Sequence, residues 1–164
     1  MKITVLNTGG TFNKRYNPIK GQLEVPTDSI ALDKIVENCH NVEFDIRNIV
    51  SKDSLDFTDA DRQLILENIQ NSTSDKIIII HGTDTVDLTS KFIDGKIEGK
   101  KIVFTGAMVP MSIDKVEATM NFSQAIGFLN AAIENGIYLS MHGVVVSHKN
   151  LKKDRSVGKF LINE

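Results

Sequence analysis

Two threonines sit just past short apolar runs: Thr11 in Asn7-Thr8-Gly9-Gly10-Thr11, and Thr83 in His81-Gly82-Thr83-Asp84-Thr85. An aspartate, Asp84, follows the second. Near the end lies a basic cluster, Lys149, Lys152, Lys153, Arg155 and Lys159, with Asp154 among them. A hydroxyl becomes a nucleophile when a neighbouring base takes its proton, and a lysine can be that base, as in Ser–Lys pairs. Backbone N–H groups at glycine-rich turns can stabilise the oxyanion that forms when such a hydroxyl attacks a carbonyl. The chemistry on offer is acyl transfer. The same residues also have a plain reading. Threonine after a strand is an ordinary helix cap, and a lysine cluster around an aspartate is an ordinary solvated turn. Residue types alone leave both readings open.

Other chemistries fit less well. The Gly9-Gly10 pair lacks the G-x-G-x-x-G spacing of a dinucleotide turn, and no P-loop Lys-Ser/Thr pair follows it. His81 ends an apolar run, where a histidine is more often hydrogen-bonded structure than a base. His142 and His148 lie too far apart for a helical metal pair, so no metal is expected. No cofactor is expected either. With 19 basic against 21 acidic residues the net charge is −2, which carries no signature of nucleic-acid or membrane partners. The chain has two Tyr and no Trp, too few aromatics for a base-stacking platform. Its one cysteine, Cys39, cannot form an internal disulfide. No apolar run nears the roughly 18 residues of a membrane span, and no signal-peptide pattern opens the chain. A cytoplasmic protein is expected.

The elements that must position these groups follow from hydropathy. Four β-branched runs recur, at Ile3–Leu6, Ile77–Ile80, Ile102–Phe104 and Val144–Val146. Continuous apolar runs suit parallel strands buried on both faces. The alternating segment Val42–Ile49 predicts a further strand. Helices are predicted from Thr27 or Asp28 to about Asn38, from Thr58 to the polar cluster 71–75, and after Pro110. In the last, Phe122, Ala125, Ile126, Leu129 and Ile133 recur at helical spacing until Asn135-Gly136. Segment 11–24 shows no period and predicts a long loop. Strands alternating with helices predict a doubly wound α/β fold in a single domain over 1–164. Ligands of such folds bind at the carboxyl ends of the strands. Besides the two threonine turns, those ends are Ser51-Lys52-Asp53-Ser54 and Thr105-Gly106-Ala107-Met108.

Thr8-Gly9-Gly10-Thr11, His81-Gly82-Thr83-Asp84-Thr85 and Gly106-Ala107-Met108 with Pro110, in this order and spacing, resemble the bacterial-type L-asparaginase family. The match runs from Thr8 to Lys159 and corresponds to the family's N-terminal domain, as in its short-chain members. The resemblance implies a three-layer, flavodoxin-like α/β domain with a mostly parallel sheet. It implies hydrolysis of the side-chain amide of asparagine through a threonine acyl-enzyme, with a small amino acid as substrate. By this resemblance Thr11 is the nucleophile, Thr83 the second essential threonine and Asp84 the ligand of the substrate α-amino group. Lys159, in Arg155-Ser156-Val157-Gly158-Lys159, is implied as the lysine beside Thr83 and Asp84. Ser51 is implied at the α-carboxylate, Gly82 among the substrate contacts, and the Ala107 carbonyl at the leaving amide. A homodimer or homotetramer is implied as well.

This chain departs from the family pattern at several points. Lys52 follows Ser51, where it would add a carboxylate contact. Leu23 occupies the simplest aligned position of the loop tyrosine, leaving Tyr16 on the same loop to take its part. Glu117-Ala118 replaces the Asp-Gly pair that precedes the helix asparagine, here Asn121. The substrate-contacting acid of the family's C-terminal domain has no counterpart. A glutamine-hydrolysing relative and a non-catalytic amino-acid-binding module are the competing expectations.

Overall fold

The computed structural model describes residues 1–131 and 134–163. Its central sheet is built from β1 (Lys2–Gly9), β4 (Glu43–Lys52), β5 (Lys76–Ile80), β6 (Lys101–Thr105), β7 (Gly136–Met141) and β8 (Val144–Ser147), in the order β4-β1-β5-β6-β7-β8. All neighbours are parallel except β7 and β8, which pair antiparallel. Two hairpins, β2 (Arg15–Asn17) with β3 (Gln22–Glu24) and β9 (Leu151–Asp154) with β10 (Lys159–Ile162), stand outside it. Among the strands of the parallel sheet the chain order reads 2-1-3-4-5, the flavodoxin-like arrangement.

Helices cover both faces. With the period of two along a strand, Ile77 and Ile79 face one way and Ile78 and Ile80 the other, all four with no exposed surface. Ile78 and Ile80 join Ile3, Val5 and Val103 in a core beneath α1 (Ile30–Val36) and α4 (Lys115–Asn130), which contribute Leu32, Ile35, Phe122, Ala125 and Leu129. Ile77 and Ile79 join Leu6, Ile102 and Phe104 beneath α2 (Asp59–Gln70) and α3 (Val86–Ile93), which contribute Ile65, Ile69 and Ile93. These are the three layers the apolar runs predict.

Local chemistry sets the ends. Thr58 caps α2: its hydroxyl accepts from the Asp61 N–H, while the Asp61 carboxylate accepts from the Thr58 N–H, a reciprocal box. The first helix is shorter than predicted. It starts at Ile30, where the Asp28 carboxylate, held by Arg15, accepts the Ile30 N–H.

Three expectations change. Segment 11–24 is no structureless loop: a 3-10 turn at Thr11–Asn13 leads into the β2–β3 hairpin. The Val144 run is an antiparallel edge strand folded back on β7, which the positive-φ turn at His142 and Gly143 permits. The last helix ends at Asn130, and Ile133 lies outside the described residues. Within the described residues no helix is long and apolar enough to cross a membrane.

Candidate functional site

β1 and β5 are adjacent and parallel, with Asn7 level with Ile80, so Thr11 and Thr83 leave the sheet side by side. Glycines bring their turns into backbone contact. Gly10 holds φ 72° and ψ −175°, a conformation essentially reserved for glycine. A Cβ there would lie 2.5 Å from the Gly82 Cα. A Cβ on Gly82 would lie equally close to the Ser54 Oγ, and one on Gly106 would meet the His81 carbonyl oxygen. The turns after β1, β5 and β6 therefore meet backbone to backbone, and the turn after β4 meets Gly82 through the Ser54 side chain. The Gly10 N–H donates to the Lys52 carbonyl at 3.0 Å, and the His81 N–H to the Thr105 carbonyl at 2.9 Å.

His81 is a strut rather than a base. Its ring is buried edge-on to Phe57 and Phe104, bonded at Nδ1 to the Gly82 carbonyl at 2.7 Å and at Nε2 to the Thr89 hydroxyl at 2.9 Å. Burial pushes its pKa down to about 4; the Gly82 bond opposes this and the charge of Arg62 adds to it. At neutral pH the imidazole is uncharged and fixes the carbonyl beside Thr83.

The lysine that reaches Thr83 and Asp84 is Lys153. Its Nζ donates to the Thr83 Oγ1 and to the Asp84 Oδ1, both at 2.9 Å. Its side chain is 14% exposed. Lys159, implied by the resemblance, is exposed and opposite Asp154 in the β9–β10 hairpin. Alternation excludes it: Phe160 lies opposite Lys153, so Lys159 points to the other face. Lys153 belongs to the cluster that reads as a solvated turn, and only the hairpin turns it inward. Arg155 also attends Asp84, donating to its carbonyl at 3.1 Å with a guanidinium nitrogen 3.6 Å from the carboxylate.

Around this pair the other expected residues fall as follows. Thr11 is half-buried at the start of the 3-10 turn, directly after Gly10. Ala107 is buried in the turn after β6. Ser51 is half-buried near the end of β4. Lys52 is not directed at the site, because its ammonium sits on the Asp61 carboxylate at 2.8 Å, beside the α2 cap. Tyr16 lies on β2 directly opposite Leu23 on β3. Directly opposed residues of an antiparallel pair share a face, so the tyrosine stands beside the position where the family pattern places one. It is 63% exposed.

Ser54 closes the turn after β4, and neither its residue type nor the resemblance gives it a role of its own. Its hydroxyl is buried against Gly82 and has no hydrogen-bond partner among the described residues. Thr85 fixes its backbone by donating to the Ser54 carbonyl at 2.7 Å. A buried polar group left unpaired costs stability unless a ligand satisfies it. Neighbouring Asp53 is held by Lys14 at 2.6 Å. Burial raises its pKa, but the bonds from Lys14 and the Leu55 N–H outweigh that and keep it below the ordinary value. Among the described residues no cluster of His, Cys, Asp or Glu could hold a metal ion.

A flavodoxin-like domain with threonines, a lysine and an aspartate gathered at the carboxyl edge of its sheet is the class that fold and site define. The chain belongs to the asparaginase family: the model for "Asparaginase, N-terminal" matches residues 2–158. It is 26% identical over 162 residues to an L-asparaginase of Thermococcus kodakarensis, covering 96% of this chain and 49% of that protein. The solved thermostable L-asparaginase from the same organism superposes with a TM-score of 0.86 at 25% identity, over 99% of this chain and 51% of the other. A glutamyl-tRNA(Gln) amidotransferase component of Methanococcus vannielii is 28% identical over 149 residues, covering 87% of this chain and 34% of its own length. The chain spans about half the length, or less, of these curated relatives.

Proposed function

We propose that the protein hydrolyses the side-chain amide of L-asparagine to L-aspartate and ammonia through an acyl-enzyme on Thr11. The observation that carries this reading is the Lys153 ammonium bonded to both Thr83 and Asp84, on the turn packed against the one that presents Thr11. The Thr11 Oγ adds to the carboxamide carbon, and its proton passes to the amide nitrogen. The carbon–nitrogen bond breaks and ammonia leaves. Water adds to the resulting ester, the bond to Oγ breaks, and Thr11 regains a proton as the acid departs. Thr83 and Lys153 form the proton path to the attacking oxygen, with Asp84 holding the lysine in place. Tyr16, carried by the hairpin that follows Thr11, is the second group proposed to serve that oxygen, and the hairpin is the lid.

Substrate recognition in this reading falls to Asp84 for the α-amino group, to Ser51 with the unpaired Ser54 hydroxyl for the α-carboxylate, and to the Gly82 and Ala107 turns for the amide. Self-association into a dimer or tetramer is part of the proposal. Its support is the exposed apolar set Ile113, Val116 and Met120 at and before the start of α4. Light scattering that finds an active monomer overturns it. The cytoplasm is the proposed compartment, and no metal or cofactor takes part. A second reading, glutamine as the substrate, is favoured by the likeness to the amidotransferase component. Ammonia release from asparagine and from glutamine tests the two side by side.

A further inference from the structure

Glu117 departs from the family pattern, and the structure shows what it holds. Lying in the first turn of α4, it reaches back to the turn beyond Ala107. One carboxylate oxygen accepts the Met108 N–H at 2.9 Å and the other the Val109 N–H at 3.0 Å. The first oxygen also meets the His142 Nε2 at 3.1 Å. His142 sits in the β7–β8 turn with φ 52°, and its own N–H donates to the Asn121 side chain one helical turn along from Glu117. The opposite ring nitrogen, Nδ1, accepts the Phe160 N–H at 3.2 Å. Phe160 is the residue directly opposite Lys153 in the β9–β10 hairpin.

These bonds fix the tautomer. A backbone N–H can only donate, so Nδ1 carries no proton and Nε2 must, which lets Nε2 donate to Glu117. Neutral His142 is thus a two-ended strut. One end grips the carboxylate that shapes the Ala107 turn. The other grips β10, the strand paired with the one that carries Lys153 toward Thr83.

Building on the proposed function, we infer that the Glu117–His142 pair is a clamp that sets the Lys153 hairpin in register with the amide-binding turn, with His142 as a positioning residue for the reaction. Neither side chain touches the reacting atoms in this account. Displacing a catalytic group by about 1 Å can cost on the order of 10²-fold in rate, so a clamp on Lys153 acts on kcat.

Two near-isosteric replacements separate the ends of the strut. His142→Asn keeps an acceptor where Nδ1 lies and tolerates the positive φ, but loses the reach to Glu117. His142→Gln keeps a donor near the Nε2 position and loses the acceptor for Phe160. Each variant is checked for folding by thermal melt, then assayed for kcat and KM on asparagine. Hydrogen exchange is followed at the Phe160 amide, and ¹⁵N shifts of the wild-type imidazole are recorded. The expected result is that kcat falls about 10- to 100-fold in His142→Gln with KM changed less than about 3-fold. His142→Asn, which cuts the Glu117 end of the strut, is expected to lose kcat over the same range of about 10- to 100-fold. The Phe160 amide exchanges faster only in His142→Gln, and the wild-type ring carries its proton on Nε2. A proton on Nδ1, wild-type kcat in His142→Gln despite fast Phe160 exchange, or wild-type kcat in His142→Asn overturns the clamp. If the wild type releases no ammonia from either amide, the proposed function fails. The clamp is then decided by exchange alone: Phe160 protected in the wild type and exposed in His142→Gln upholds it, and no difference overturns it.

Discussion

The Lys153 ammonium lies 2.9 Å from the Thr83 hydroxyl, joining residues 70 apart in the chain. Lys159, six residues further on, faces the other side of the same hairpin. The two lysines therefore make a clean contrast. Lys153→Met is expected to lower the rate of amide hydrolysis by about 10²- to 10⁴-fold, the usual loss when a positioned proton-transfer group is removed. Lys159→Met is expected to stay within about 3-fold of wild type. Parallel kinetics on the two purified variants check this; equal losses would return the role to Lys159 or remove it from both.

Tyr16 and Leu23 face each other across β2 and β3. Tyr16→Phe is expected to lower kcat about 10- to 100-fold without changing the melting temperature, since the side chain is exposed and its hydroxyl makes no hydrogen bond among the described residues. Adding Leu23→Tyr in that background is expected to restore part of the loss, because the two positions share one face of the hairpin. Wild-type turnover in Tyr16→Phe would place the function of the loop tyrosine elsewhere.

Gly10 meets the Gly82 backbone where a side chain would stand, and its φ and ψ are glycine's own. Gly10→Ala is expected to destabilise the fold by about 1–3 kcal/mol from backbone strain alone, with further loss from the clash. Gly21→Ala, at positive φ with open space around it, pays only the conformational part. Urea unfolding of the pair checks the order, and a Gly10→Ala protein as stable as Gly21→Ala contradicts the contact.

His81 gives a pH dependence of stability. Burial lowers its pKa from 6.5 to about 4, so the folded state resists the proton that the unfolded chain accepts. Stability from this group is fully present above pH 6.5 and is lost as the pH falls from there toward about 4, by roughly 3 kcal/mol in all. The carboxylates are displaced in the same direction. Asp53 and Asp61 are held below the ordinary value, so their contribution is lost only at lower pH, as each protonates. Urea midpoints between pH 7 and 4.5 are expected to fall steadily, and a flat profile over that range would contradict a buried neutral His81.

Much of this was legible in the residues. Four consecutive isoleucines suit a parallel strand buried on both faces, which β5 is, and Thr58 with Asp59 and Asp61 favours the helix start that the capping box makes. The turns at Thr11 and Thr83 stand out because glycines cluster beside hydroxyls. What stayed hidden depended on pairing. Nothing in Leu151-Lys152-Lys153 shows that Lys153 turns inward until Phe160 is placed opposite it, and a three-residue strand such as Arg15–Asn17 is too short to show a period. Ser54 is indistinguishable from any turn serine until Gly82 closes over its hydroxyl. The edge strand β8 reads as a buried parallel strand because its three valines carry no mark of direction.

The central claim is that Thr11 is the nucleophile of an amide hydrolase. Ammonia release from asparagine and from glutamine, measured by a coupled assay on the wild type beside Thr11→Ala, tests it most directly. The expected result is turnover of asparagine by the wild type and a loss of about 10³-fold or more in Thr11→Ala, with the far-UV spectrum and melting temperature unchanged. Wild-type rates in Thr11→Ala, or no ammonia from either amide with the intact protein, would contradict it.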